Sequence, residues 1–199
     1  MPEMILILCE GLATVLFILI CTRFLCKNMK NRDFRFVPWL PYVLTGCGSA
    51  TLFLLGGLSP WTFCGIAFLF VLLYASVQDH STHEADDILS VMMLMLAVTN
   101  ISEATALSQL LGAAIVCGAQ MLIALCGKKR MGIGGADIKL STAAALLLGF
   151  YKGVIGFMLG LLIAVVAQLI MTHRKKEQRT QPFALLPYLS VGFIIGYLI

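Results

Sequence analysis

The stretch KKRMGIGGADIKLSTAAALLLG, residues 128–149, places two ionisable side chains, Asp137 and Lys139, at the start of a long apolar run. A cluster of basic residues and a glycine-rich segment come immediately before them. Charged side chains are rare and costly at membrane depth, and those that occur there usually have a function. The stretch therefore predicts a membrane helix whose first turn belongs to a functional site.

The composition of the whole chain agrees with a membrane protein. Of its 199 residues, 60% are hydrophobic and only 12% are charged, whereas soluble domains average about 25% charged residues. This shortage of charge leaves no sizeable soluble domain. We predict an all-α fold, a polytopic membrane helical bundle.

Apolar runs long enough to span a bilayer, or nearly so, predict about eight transmembrane helices. We assign residues 1–60 to an N-terminal helical pair and residues 61–199 to a six-helix core. Two runs are short and follow polar segments, which suggests helices that begin beside an aqueous recess. The predicted spans are 4–22, 37–57, 61–78, 88–100, 105–126, 138–150, 153–171 and 184–199.

The loops predict the orientation of these spans. Loops 23–36, 127–136 and 172–183 are basic, and they alternate with short loops that carry almost no charge. Because basic residues favour the cytoplasmic side, this pattern predicts both termini outside. The loop DHSTHEADD, residues 79–87, lies on the same side but is acidic, which indicates a separate function for it.

Two aspartates meet at one depth in this topology. Asp79 closes the third predicted helix at its cytoplasmic end, and Asp137 opens the sixth at the same end. Two neighbouring carboxylates cannot both ionise cheaply, so one proton is held between them. One member can then act as general base on a water while the other acts as general acid on a departing amide, as in aspartic peptidases.

Other interpretations remain open at this point. A small ion-coupled transporter or channel also uses carboxylates and short helices inside the membrane. A catalytically silent scaffold protein and a phospholipid-modifying enzyme with metal-bound aspartates are further alternatives. His80 and His83 are possible metal ligands, but histidines in a short polar loop are more often solvated than bound to a metal. The seven cysteines contain no CxxC pair. We expect no metal and no cofactor.

Three segments carry a resemblance to a known family. GIGGADIKL, residues 132–140, resembles the second-aspartate signature of the type IV prepilin peptidases, which belong to the GxGD intramembrane aspartyl proteases. ASVQDHSTHEADDILSVMMLML, residues 75–96, is similar to their first-aspartate segment. QPFALLPYLSVGFIIG, residues 181–196, resembles their closing segment. The resemblance covers roughly residues 61–199.

This resemblance implies a membrane endopeptidase that removes the basic leader of prepilins or pilin-like proteins at the cytoplasmic face of the bacterial inner membrane. Asp79 and Asp137 correspond to the catalytic pair. The implied partners are the leader peptide and the lipid bilayer, with no nucleic acid. Expected substrate contacts are residues of the two motifs and of the acidic loop, namely Gly134, Lys139, Glu84, Asp86 and Asp87.

The chain departs from the family pattern in two places. Ala136 replaces the second glycine of GxGD, a change that is tolerable where φ is negative. Longer members also carry a cytoplasmic methyltransferase domain with paired cysteines. Here the corresponding loop is RFLCKNMKNRDFRF, residues 23–36, with the single Cys26. About 14 residues cannot bury a core for a methyl donor, so we predict cleavage without methylation.

Overall fold

The computed structural model describes residues 40–82, 86–102, 104–126, 134–174 and 184–199, together with scattered positions between 9 and 23. These residues are helical apart from short connections, and no strand occurs among them. The prediction of an all-α fold is therefore confirmed. The helices of the continuous ranges are α1 (Leu40–Gly56), α2 (Pro60–Thr82), α3 (Asp87–Thr99), α4 (Ala106–Cys126), α5 (Gly135–Arg174) and α6 (Leu186–Leu198).

Three of the described helices are long and apolar enough to cross a membrane, over Pro60–His80, Ala106–Leu125 and Gly135–His173. Helices α1, α3 and α6 are also apolar but shorter. The predicted count of eight transmembrane helices is not confirmed, and most of the predicted span 4–22 lies outside the described residues. The remaining predicted boundaries lie within a few residues of the observed ones. One difference concerns the site, because α2 continues past Asp79 to Thr82.

Helix α5 contains a sharp reversal at Gly149. The backbone angles there are φ 80° and ψ 179°, a region essentially restricted to glycine. A Cβ atom added to Gly153 would lie 3.1 Å from Cα of Ala145, although eight residues of straight helix span about 12 Å. The two arms of α5, residues 135–148 and 150–174, therefore fold back on each other. They correspond to the predicted spans 138–150 and 153–171.

The chain divides into two compact units, Met1–Val77 and Gln78–Ile199. In the second unit α5 packs against α3, α4 and α6. Helix α3 contributes one buried face, which consists of Leu89, Met93 and Ala97 at a spacing of four residues. This is the spacing expected for the core-facing side of a helix.

Glycines bring the second arm of α5 very close to α6. The segments GFMLG, residues 156–160, and GFIIG, residues 192–196, each carry two glycines at a spacing of four. A Cβ atom added to Gly160 would lie 2.8 Å from Cα of Leu189, and one added to Gly196 would lie 2.6 Å from the Lys152 carbonyl oxygen. Membrane helices that lack side chains at such positions can bring their backbones together. This contact fixes where α6 begins, which matters for the site below.

Candidate active site

Asp79 lies in the last turn of α2 and is buried, with only 5% of its surface exposed. Its Oδ2 atom accepts a hydrogen bond of 3.0 Å from the backbone N–H of Leu186, the first residue of α6. The first N–H groups of a helix have no partner within that helix, and a buried carboxylate needs a donor. The start of α6 therefore satisfies and orients the Asp79 side chain.

Asp137 is the third residue of α5, and its side chain folds back over the start of that helix. Its backbone N–H donates to the Gly134 carbonyl oxygen at 3.1 Å, while its carboxylate accepts a backbone hydrogen bond from Gly134. This arrangement resembles the side-chain half of a capping box. A Cβ atom added to Gly134 would lie 3.4 Å from Oδ2 of Asp137. Gly134 itself is exposed and has no side chain that could cover the Asp137 carboxylate.

The structure places Asp79 and Asp137 within electrostatic range of each other. Their carboxylates are close enough for the two negative charges to repel each other, and both residues belong to the second compact unit. Charges interact strongly in a low-dielectric environment, because little water is present there to screen them. The arrangement is a pair of interacting carboxylates, one buried in the last turn of α2 and one in the first turn of α5.

Lys139 forms an ion pair with Asp87. The Nζ atom lies 2.8 Å from Oδ1 of Asp87, and the two side chains are 59% and 69% exposed. Asp87 is the first residue of α3, where a negative charge suits the helix dipole, whereas a positive charge in the first turn of α5 opposes it. The ion pair offsets the unfavourable position of Lys139. It also links α3 to the turn of α5 that carries Asp137.

We expect this ion pair to contribute little to stability. Replacing Lys139 with methionine should change the free energy of unfolding by less than about 1 kcal/mol, because exposed pairs are well screened by water. Thermal unfolding in detergent of wild type, Lys139→Met, Asp87→Asn and the double variant measures the coupling between the two residues. A coupling energy well above about 1 kcal/mol would contradict this expectation.

The other predicted site residues lie around this pair or outside the described ranges. Asp86 precedes α3 with an extended backbone, and its N–H donates to Oε1 of Gln78 at 3.4 Å. Ala136 has helical backbone angles, so its methyl group causes no strain at the second glycine position of GxGD. Glu84 and His83 lie outside the described residues. Within the described ranges, no three His, Cys, Asp or Glu side chains are grouped so that they could hold a metal ion.

Two buried polar side chains beside Asp137 are absent from the sequence-based prediction. Gln120 of α4 is 0% exposed and Ser141 of α5 is 1% exposed. Oγ of Ser141 lies 2.7 Å from Oε1 of Gln120 and 2.6 Å from the Asp137 carbonyl oxygen. A glutamine inside an otherwise apolar membrane run can be recognised in the sequence, and such side chains hydrogen-bond to neighbouring helices in membranes. Its partner, however, is not apparent before the fold is known.

The fold and the site define a helical membrane protein that holds two interacting carboxylates at helix ends. The sequence profile of the Type IV leader peptidase family matches residues 66–173, which is more than half of the chain and includes both aspartates. The chain belongs to this family, and the resemblance seen in the sequence is confirmed. It is therefore an integral membrane protein of a peptidase family. No curated protein sequence and no solved structure matches it.

Proposed function

We propose that this protein is a membrane aspartyl endopeptidase that cleaves the basic leader of prepilins or pilin-like proteins, with Asp79 and Asp137 as the catalytic pair. The observation that carries this proposal is the placement of the two carboxylates within electrostatic range of each other, at the end of α2 and the start of α5. They come from distant parts of the chain, and each is held by a backbone N–H group, that of Leu186 for Asp79 and that of Gly134 for Asp137.

The proposed mechanism uses the proton that the pair shares. The ionised carboxylate removes a proton from a water molecule, whose oxygen attacks the carbonyl carbon of the scissile peptide bond. The protonated partner gives its proton to the departing amine as the carbon–nitrogen bond breaks. Both roles need carboxylates within reach of one water molecule, and the electrostatic interaction between Asp79 and Asp137 supports such an arrangement.

Gly134 supports the approach of an extended substrate. It is exposed and directly precedes the turn that carries Asp137. Without a side chain there, a peptide backbone can come close to the carboxylate. We propose that the residues around the scissile bond lie against this glycine.

The acidic loop is the proposed contact for the basic leader. Asp86 and Asp87 adjoin the start of α3, and Glu84 belongs to the same loop in the sequence. Asp87 already has a cationic partner in Lys139, so a leader cation that binds Asp87 would have to compete with Lys139.

We also propose that the active site faces the cytoplasm in a bacterial inner membrane, where the leader is presented. The basic loops 127–136 and 172–183 support this orientation, because basic residues favour the cytoplasmic side.

Neutralising this loop should weaken cleavage of basic leaders. For the variant Glu84→Gln/Asp86→Asn/Asp87→Asn we expect kcat/KM to fall about 10-fold at low salt, because the charges that steer the leader are lost. A leader peptide whose basic residues are replaced by glutamine serves as the matched control and should be affected little. An equal loss for both peptides, or no loss for the basic one, would contradict the proposed contact.

The proposed function is tested with purified protein in liposomes and a synthetic leader peptide that spans the cleavage site of a pilin-like protein. We expect a single cut after the leader, and mass spectrometry of the product should show no methyl group even with a methyl donor present. Absence of cleavage in wild type, combined with cation uptake into the liposomes that depends on Asp137, would favour an ion-coupled transporter instead.

A further inference from the structure

A buried polar link connects α4 to the turn of α5 that carries Asp137. Gln120 and Ser141 are both almost completely buried, in helices whose other residues are mostly apolar. Ser141 lies one helical turn after Asp137, so its hydroxyl group reaches the Asp137 carbonyl oxygen at 2.6 Å. The same hydroxyl group lies 2.7 Å from the Gln120 side-chain amide. One serine oxygen therefore contacts both the Gln120 side chain and the Asp137 backbone.

The protons of this link can be arranged in one consistent way. The Ser141 hydroxyl has a single proton and cannot serve both neighbouring oxygens, and Nε2 of Gln120 has no hydrogen-bond partner among the described residues. The oxygen and nitrogen of a glutamine amide have nearly the same shape, so the hydrogen-bond pattern decides their positions. With the two atoms exchanged, Gln120 donates to Ser141, and Ser141 donates to the Asp137 carbonyl oxygen. The link then runs in one direction, from α4 to the backbone of the aspartate.

This link is costly as a purely structural element. In either orientation one buried polar atom of the Gln120 amide has no partner among the described residues, which costs free energy. Methionine has a similar length and no such requirement. A residue that served only packing would therefore be better as methionine, whereas a residue that directs a neighbouring group would not.

We infer that Gln120 is a positioning residue, which acts through Ser141 to hold the first turn of α5 so that the Asp137 carboxylate faces Asp79. The inference rests on the proposed function of the Asp79 and Asp137 pair. A displacement of about 1 Å between catalytic groups can cost about 100-fold in rate, so a hydrogen bond that fixes this turn has a large effect on catalysis and a small one on stability.

The test compares Gln120→Met, Ser141→Ala and Ser141→Thr with wild type, in the liposome cleavage assay and in thermal unfolding. For Gln120→Met and Ser141→Ala we expect kcat to fall about 30-fold with KM within about twofold of wild type. The unfolding temperature of Gln120→Met should stay the same or rise, because an unpartnered buried polar atom is removed. Ser141→Thr keeps the hydroxyl group and should recover most of the lost rate.

Gln109 provides a matched control on the same helix. It is also buried, with 5% of its surface exposed, and its Oε1 atom also has no partner among the described residues. Its Nε2 atom donates to the Asn100 carbonyl oxygen at 3.3 Å. Gln109 lies about three helical turns before Gln120 in α4. Gln109→Met should leave kcat unchanged.

The outcomes separate the inference from the proposed function. Wild-type kcat in Gln120→Met, a joint loss of rate and unfolding temperature, or an equal loss in Gln109→Met would each overturn the positioning role while wild type still cleaves and Asp137→Asn does not. Cleavage that persists in Asp137→Asn, or is absent in wild type, overturns the proposed function and this inference with it.

Discussion

Replacing Asp137 with asparagine should reduce kcat/KM for leader cleavage by at least about 10³-fold, within the range that general acid–base catalysis contributes. Asparagine has nearly the same shape as aspartate but can neither take a proton from water nor hold one for the leaving amine. The same loss is expected for Asp79→Asn. Because an asparagine carbonyl oxygen can still accept the Leu186 N–H group that now binds Asp79, the fold around α6 should be retained.

Cleavage of a pilin-like leader peptide by equal amounts of folded protein measures this effect. Circular dichroism and thermal unfolding establish that each variant is folded. Asp33→Asn removes a carboxylate from the loop 23–36, which holds none of the predicted site residues, and should cleave at the wild-type rate. Processing by either Asp79→Asn or Asp137→Asn at more than a few per cent of the wild-type rate would exclude the proposed pair.

The second large effect is expected at Gly192, where α6 meets the second arm of α5. A Cβ atom there would overlap the Gly156 carbonyl oxygen and the Gly160 nitrogen. These are backbone atoms of a packed helix, so they cannot move aside as a flexible side chain would. Gly192→Ala should lower the free energy of unfolding by about 3 kcal/mol or more, at the upper end of overpacking costs.

Thermal unfolding in detergent should show this as a decrease of about 6 to 12 °C in the unfolding temperature. Gly118→Ala is the matched control, since no atom of the described residues, apart from the adjoining backbone of α4 itself, lies within 4 Å of a Cβ atom added there. It should leave the unfolding temperature unchanged or raise it slightly, because alanine favours the helix over glycine. Equal unfolding temperatures for Gly192→Ala and wild type would show that this contact is looser than the structure indicates.

The two predictions are connected through the start of α6. The glycine contact sets the position of α6 along the second arm of α5, and the first N–H group of α6 binds Asp79. We therefore expect the Gly192→Ala protein that remains folded to cleave more slowly than wild type. Its loss of rate should accompany its loss of stability, in contrast to Asp137→Asn, which loses activity alone.

The family assignment and the helical membrane character could be predicted from local patterns. Apolar runs of about 20 residues identify membrane helices, because a helix of that length crosses the hydrocarbon core of the bilayer. The glycine-rich segment before Asp137 and the acidic segment after Asp79 can likewise be recognised from a few consecutive residues of the sequence. Even the reversal at Gly149 appears in the sequence, as two predicted spans separated by a short polar interruption.

Other features depended on residues that are distant in the chain. The boundary of α2 was predicted too early, since Asp79 looks like the end of an apolar run, while the helix extends one further turn to Thr82. Lys139 could be placed in a first turn from sequence, but its partner Asp87 follows from how α3 packs against α5. The two glycine segments are visible in the sequence, yet nothing in either segment indicates that they face each other.

The sequence by itself determined which segments are helical and apolar, which family the chain belongs to, and which two carboxylates are candidates for catalysis. Only the tertiary structure decided that the Leu186 amide binds Asp79, that Lys139 pairs with Asp87, and that Gln120 reaches Asp137 through Ser141. The physical reason is the range of the interactions. Helix formation and membrane partition depend on neighbours within a few turns, whereas the partner of a buried polar group is set by helix packing between residues far apart in the chain.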